Sequence, residues 1–189
     1  LKAKSRSRSK KTKVYISDRG LDLIYVVDTA NNTFSQIAVD NDGEIVVTPD
    51  GTKGYIGNCG SNPGVIWVLN LSNNTVSTSI PTPQPSCPFF LTISPDGSKL
   101  YASGTFNGGS YGVTVINTAN NAILANIPIA VDSLSLQDIL VNNDGSRVYV
   151  ADPGPCCGGV PPLGFPAIGK VYVINTSTNT VLTNISVGG

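Results

Sequence analysis

Apolar residues fall in short runs of four to six, rich in Val and Ile, each bounded by turn residues. Ile45-Val46-Val47-Thr48 leads to Gly54-Tyr55-Ile56-Gly57, then Val65-Ile66-Trp67-Val68-Leu69, then Thr75-Val76-Ser77-Thr78-Ser79-Ile80. Runs this short and this β-branched predict strands, not helices. Asp50-Gly51 separates the first two, because Gly tolerates positive φ and Asp can cap its own turn. Asn73-Asn74-Thr75 does the same before the fourth. The unit predicted is therefore four strands joined by hairpins.

The unit recurs. Thr48-Pro49-Asp50-Gly51-Thr52-Lys53-Gly54-Tyr55 aligns without gaps with Ser94-Pro95-Asp96-Gly97-Ser98-Lys99-Leu100-Tyr101 and with Asn142-Asn143-Asp144-Gly145-Ser146-Arg147-Val148-Tyr149. Thr12-Lys13-Val14-Tyr15 keeps the strand without the Asp-Gly turn. A second element recurs at Val27–Thr33, Leu69–Thr75, Ile116–Ala122 and Ile174–Thr180. The four tyrosines lie 40, 46 and 48 residues apart. A period of about 40–45 residues with four strands is that of a propeller blade. A parallel β-helix is the rival, but its repeats are shorter.

Val14-Tyr15-Ile16-Ser17, Leu100-Tyr101-Ala102-Ser103 and Arg147-Val148-Tyr149-Val150-Ala151-Asp152 resemble the signature strand of the YVTN-type β-propeller repeat family. Val171-Tyr172-Val173-Ile174-Asn175-Thr176-Ser177-Thr178-Asn179-Thr180-Val181 is similar to its V-x-V-I-D-T-x-T-N-T-V element, and Ser94-Pro95-Asp96-Gly97 to its SPDG turn. The resemblance covers residues 14–189. It implies a surface-layer or secreted propeller protein, with the strand before each Asp-Gly turn innermost. Three inner strands are then expected near Ile45, Phe89 and Ile139, and fifteen strands in all, the first blade lacking its inner one. The fold class expected is an all-β, partial propeller of about four four-stranded antiparallel blades. Approximate units are 14–44, 45–88, 89–137 and 138–189, behind a basic arm at 1–13. Family propellers commonly close with about seven blades, so closure within this chain is not expected.

Composition adjusts the picture. The 189 residues carry no His, which excludes His-based triads and His-ligated metal. Zero net charge conceals an asymmetry. Lys2, Lys4, Arg6, Arg8, Lys10, Lys11 and Lys13 form a basic arm without acids, while residues 14–189 hold five basic and twelve acidic residues, a net of −7. The arm has neither aromatics for base stacking nor an apolar face for membrane insertion. It reads as a solubilising tail or as the contact for an anionic partner: another copy's acidic body, a cell-wall polymer or, less readily, nucleic acid. The chain opens on Leu and contains no Met, so a longer gene product is expected.

Successive turns of a meander alternate between two faces. The Asp-Gly and Asn-Asn-Thr turns share one. The irregular connectors share the other: Gly57 to Gly64, Pro81 to Pro88, Gly104 to Gly112, Ala130 to Gln137 and Asp152 to Gly169. Loops on a rigid scaffold commonly carry binding sites, so function is expected there. All four cysteines fall on it. A Cys59–Cys87 disulfide would stabilise by about 3 kcal/mol; free thiols are the alternative. Adjacent Cys156 and Cys157 would make a strained pair, so a bridge to another chain or free thiols serves equally. Zinc is disfavoured, because no C-x2-C pair is present.

Asp40-Asn41-Asp42-Gly43-Glu44 reads as a solvated turn and only faintly as a calcium loop. Asp18, Asp22, Asp132, Asp138 and Asp152 read as solvated loop acids. Tyr15, Tyr55, Tyr101, Tyr149 and Trp67 sit at the repeat's own spacing and read as packing between sheets rather than as a sugar platform. Glycosylation sequons begin at Asn31, Asn70, Asn73, Asn175 and Asn184, and turn chemistry accounts for those in the repeats. The expectation is a non-enzymatic structural or binding module, exported or at the cell surface, self-associating, and without cofactor or metal. The rival is a fragment of a propeller enzyme, lactonase-like or quinone-dependent-dehydrogenase-like.

Overall fold

The computed structural model describes residues 13–40, 43–60, 64–82, 87–106, 109–131, 136–154 and 169–187. Among them are fifteen strands and no α-helix. The first sheet holds β1 (Lys13–Asp18), β2 (Leu23–Asp28) and β3 (Thr33–Ala38). The second holds β4 (Ile45–Val47), β5 (Lys53–Asn58), β6 (Val65–Asn70) and β7 (Thr75–Pro81). The third holds β8 (Cys87–Ile93), β9 (Lys99–Thr105), β10 (Tyr111–Asn117) and β11 (Ile123–Ile129). The fourth holds β12 (Asp138–Val141), β13 (Arg147–Asp152), β14 (Gly169–Asn175) and β15 (Thr180–Val187). Each sheet is an antiparallel meander, and the first has three strands, as the missing inner strand predicts.

Register preserves the repeat. Tyr55 lies between Val46 and Val68, Tyr101 between Thr92 and Val115, and Tyr149 between Leu140 and Val173. The outermost pairing shifts register at one equivalent place in three sheets: Val68/Leu69, Val115/Ile116 and Val173/Ile174. Such a bulge adds local twist.

Side chains alternate across each strand, so every sheet has two faces. The tyrosine face of one sheet packs on the opposite face of the next. Tyr55, Ile66 and Val68 meet Leu100, Ala102 and Ile116 between the second and third sheets. Tyr101, Val113 and Val115 meet Val148, Val150 and Ile174 between the third and fourth. Ile24, Val26 and Ile37, with Tyr15 beside them, meet Ile56, Leu69 and Leu71 between the first and second. Burying each such aliphatic contributes about 1.5–3 kcal/mol. The strands before the Asp-Gly turns are neighbours across the sheets: β8 packs against both β4 and β12. Among the described residues, the two middle sheets are covered on both faces and the end sheets on one.

Candidate functional site

The molecule presents three kinds of surface: the turn face, the connector face and the two end faces.

The turn face is a repeated hydrogen-bonded device. Gly51, Gly97 and Gly145 take φ of 70°, 72° and 73°, the left-handed conformation that their turns require. Asp50 Oδ1 accepts from Thr52 N at 3.0 Å and from Thr48 Oγ1 at 2.6 Å. Asp96 Oδ1 accepts from Ser98 N at 3.0 Å and from Ser94 Oγ at 2.5 Å. Asp144 Oδ1 accepts from Ser146 N at 2.8 Å, while Asn142 Oδ1 takes Arg147 N at 2.9 Å. One Asn in each outer hairpin, Asn32, Asn74, Asn121 and Asn179, also has positive φ, between 54° and 61°. Asn tolerates that region better than other non-glycine residues. The sequon residues Asn70 and Asn175 are spent on the same turns, accepting from Ser72 N and Ser177 N at 2.9 Å.

Lysines tie one sheet to the next on this face. Lys53 Nζ donates to Thr118 O at 2.6 Å, and Lys99 Nζ donates to Thr176 O at 2.9 Å. A cleft of about 480 Å³ follows the first seam, lined by Asp50, Lys53 and Asp96 among others. One of about 200 Å³ follows the second, lined by Asp96, Lys99 and Asp144. Their carboxylates already serve turn donors. Ser94 Oγ, then Ser98, hold Asp96 down to about 2. Asp50 and Asp144 are lowered for the same reason, by Thr48 and Ser146 first. Buried Tyr101 is pushed up to about 12 by desolvation, with Asp96 adding repulsion. Acids held ionised by their own turns fix those turns and are poorly suited to shuttling protons at neutral pH.

On the connector face, Cys59 and Cys87 are disulfide-bonded, with Cα atoms 4.5 Å apart. The bridge joins the end of β5 to the start of β8, stapling the second sheet to the third. Packing is tight beside it: a Cβ at Gly57 would lie 1.7 Å from Pro88 O. Cys156, Cys157, Asn41, Asp42 and Asp132 lie outside the described residues, as do Lys2, Lys4, Arg6, Arg8, Lys10 and Lys11. Lys13, counted with the arm, is the exposed first residue of β1. Asp152 corrects the solvated-acid reading: it is buried, and its Oδ1 accepts from Gly154 N at 2.9 Å. Asp18 Oδ1 likewise takes Gly20 N at 3.0 Å. Among the described residues no three Cys, Asp or Glu side chains are grouped to hold a metal ion.

The end faces are apolar and open. Val14 and Ile16 of β1 lie opposite Val27 and Tyr25 of β2, which lie opposite Phe34 and Gln36 of β3. Tyr25 meets Phe34 edge-on, with ring centroids 5.9 Å apart. Phe34 is 65% exposed and Ile16 51%. A hollow of about 340 Å³ lies among Ile16, Tyr25, Val27, Asn32 and Phe34. At the far end Leu140 is 64% exposed and Ile185 50%. A hollow of about 180 Å³ there is lined by Leu140, Tyr149, Ala151 and Val171 among others. Single exposed apolar residues are ordinary; here they are gathered into one patch at each end of the stack. Interior tyrosines read as packing are so placed, Tyr55 being 0% exposed; Tyr149 has the same position but is only half-buried, with no sheet over it among the described residues.

No protein-family model matches the chain, and no curated protein matches its sequence. Solved structures do match in shape. The chain is similar to a hydrazine synthase from Kuenenia stuttgartiensis, with TM-score 0.75 and 20% identity over 93% of this chain and 46% of that one. It is similar to the dihydro-heme d1 dehydrogenase NirN, solved in complex with DHE, with TM-score 0.65 and 14% identity over 93% of this chain and 35% of that one. The Dos1 propeller matches with TM-score 0.66 and 10% identity over 93% of this chain and 44% of that one. The chain thus spans less than half the length of each. Likeness at such identities shows fold alone, and that fold is a β-propeller.

Proposed function

We propose that this chain is a structural or binding module of an exported or cell-surface propeller of the YVTN type, without catalysis of its own, that works by associating through its end sheets. One observation carries the reading. The end sheets leave open the same repeat positions that the interior sheets bury. The Cys59–Cys87 bridge supports an oxidising compartment, where disulfides persist. The turn-face carboxylates are committed to their own hairpins, which supports a structural role for the polar seams.

Light scattering on purified chain at low to tens of micromolar tests association, and a dimer or larger species is expected. A soluble, cooperatively folded monomer throughout that range would sink the proposal. Mass spectrometry after thiol trapping should find Cys59 and Cys87 joined, and free alkylation of both would count against export. A second reading draws on two of the structural neighbours being named as enzymes: a fragment of a larger propeller enzyme, lactonase-like or quinone-dependent-dehydrogenase-like. Turnover on a hydrolase panel, or a stoichiometric metal or quinone surviving dialysis, would establish it instead.

A further inference from the structure

Resting on the reading that this chain self-associates, we infer that the association is head to tail: the open face of the fourth sheet of one copy seats the open face of the first sheet of a second. The polarity comes from the chain's own seams. At both seams whose tyrosine is fully buried, the Tyr-bearing face of the earlier sheet packs on the non-Tyr face of the later one. Positions 54 and 56, 100 and 102, and 148 and 150 present that second face toward the preceding sheet. Val14 and Ile16 occupy the same positions in β1, and among the described residues no sheet lies before them. Tyr149 occupies the position of Tyr55 and Tyr101, and among the described residues no sheet lies after it. The two open faces are therefore the two halves of a seam already built in this chain.

The polar tie has the same polarity. Lys53 reaches Thr118 O in the following sheet, and Lys99 reaches Thr176 O in the next. Arg147 stands at the next equivalent position. Among the described residues no sheet follows it, and its Nη1 donates back to Ser146 O at 2.8 Å. Thr29 stands in the first sheet where Thr118 and Thr176 stand in theirs. Arg147 of one copy would donate to Thr29 O of the other. The intermolecular seam would also be the weaker one. Gly97 and Gly145 each lie under a proline of the preceding turn, Pro49 and Pro95. The fourth sheet has Asn143 at that place, and the first lacks the turn. Like-to-like pairing of two first sheets or two fourth sheets would oppose surfaces that never meet within the chain. A heterologous contact closes into a ring if its rotation allows and otherwise propagates.

The test uses Ile16→Glu on the first face and Leu140→Glu on the fourth, both at exposed positions, with Phe34→Glu and Ile185→Glu as second variants. Urea unfolding checks that each still folds cooperatively. Sedimentation velocity is then run on wild type, each variant and their equimolar mixture. In a head-to-tail seam every junction of either variant alone holds one damaged face, so association should weaken about 10- to 100-fold in both. The mixture holds one intact junction and should give a 1:1 pair and nothing larger. Dimers persisting in either variant alone would mean like-to-like pairing and overturn the polarity while leaving association standing. Variants that are monomeric alone and stay monomeric when mixed would also overturn it. A monomeric wild type would overturn both this inference and the proposed function.

Discussion

Tyr101 and Tyr149 hold the same repeat position, each in the second strand of a four-stranded sheet and each flanked by two partner strands. Tyr101 is 1% exposed under the fourth sheet, whereas Tyr149 lines an open hollow. Local sequence is nearly constant between them, so the difference lies wholly in what comes next along the stack. A propeller repeat therefore fixes which face a residue points to but leaves its burial to the neighbour, as expected of repeats that bury their faces only against each other.

The largest expected effect tests that contrast directly. Tyr101→Ala should cost about 3–5 kcal/mol, because it empties a packed seam. Tyr149→Ala should cost less than about 1 kcal/mol in the monomer, like other substitutions at uncovered positions. Urea titrations of both at a concentration where wild type is monomeric measure the gap. Equal losses would break the comparison.

The next effect concerns the connector side of one seam. Reducing Cys59–Cys87, or replacing both by Ser, should cost about 3 kcal/mol by restoring the freedom of the enclosed loop. The seam between the third and fourth sheets has no such staple among the described residues, so hydrogen exchange should rise first in β5 and β8. Exchange that rises equally in β13 would show that the bridge acts on the whole stack rather than on its own seam.

This uneven stapling bears on how much the residues disclosed. The strands were legible because Val and Ile runs alternate with Asp-Gly and Asn-Asn-Thr at a fixed period, and the hydrogen bonds at Asp50, Asp96 and Asp144 repeat that period in space. The missing inner strand was legible because Lys13-Val14-Tyr15 has no Asp-Gly turn before it. Two connectors sharing a face made Cys59 and Cys87 a candidate pair, with free thiols the alternative, and the structure joins them. What escaped were properties of neighbouring sheets. Lys53 and Thr118 are 65 residues apart, and nothing local to Lys53 announces that its ammonium caps a carbonyl of the next sheet. Asp152 looked like any acid at a strand end, yet lies buried. The apolar surface of the end sheets escaped too, because the same residue types are buried or open according to position in the stack; the connectors, where binding was expected, lie in large part outside the described residues.

The seam lysines sharpen the contrast at lower energy. Lys99→Ala removes a charge-assisted bond across a covered seam and should cost about 1 kcal/mol. Arg147→Ala removes a bond to the adjacent residue's carbonyl and should cost a few tenths of that at most in the monomer. The proposed head-to-tail seam predicts the reverse order in the dissociation constant of the assembled species, because it would place only Arg147 between copies. A loss of association on Lys99→Ala as large as on Arg147→Ala would argue that general destabilisation drives it.

The smallest effect is a pH dependence localised to one turn. Asp96 is held down to about 2, first by the Ser94 hydroxyl and then by the Ser98 amide and hydroxyl. A carboxylate whose folded value lies below its unfolded value of about 3.8 stabilises the fold above that value. Its contribution falls away as pH drops toward 2 and the native turn too becomes protonated. Solvent reaches the turn, so screening keeps the contribution under about 1 kcal/mol. Asp96→Asn keeps an oxygen to accept the Ser98 amide but has no proton to gain, so the loss of stability between pH 4 and pH 2 should shrink. Asp144 is lowered in the same direction, but its turn belongs to an end sheet and has no serine at position 142, where Asn142 stands. Urea midpoints at pH 7, 4, 3 and 2, at constant ionic strength, should therefore show Asp96→Asn flattening the acid limb more than Asp144→Asn. Equal flattening would mean that the Ser94 hydroxyl adds nothing, and that the covered and the open turn are electrostatically alike even though their sheets are not.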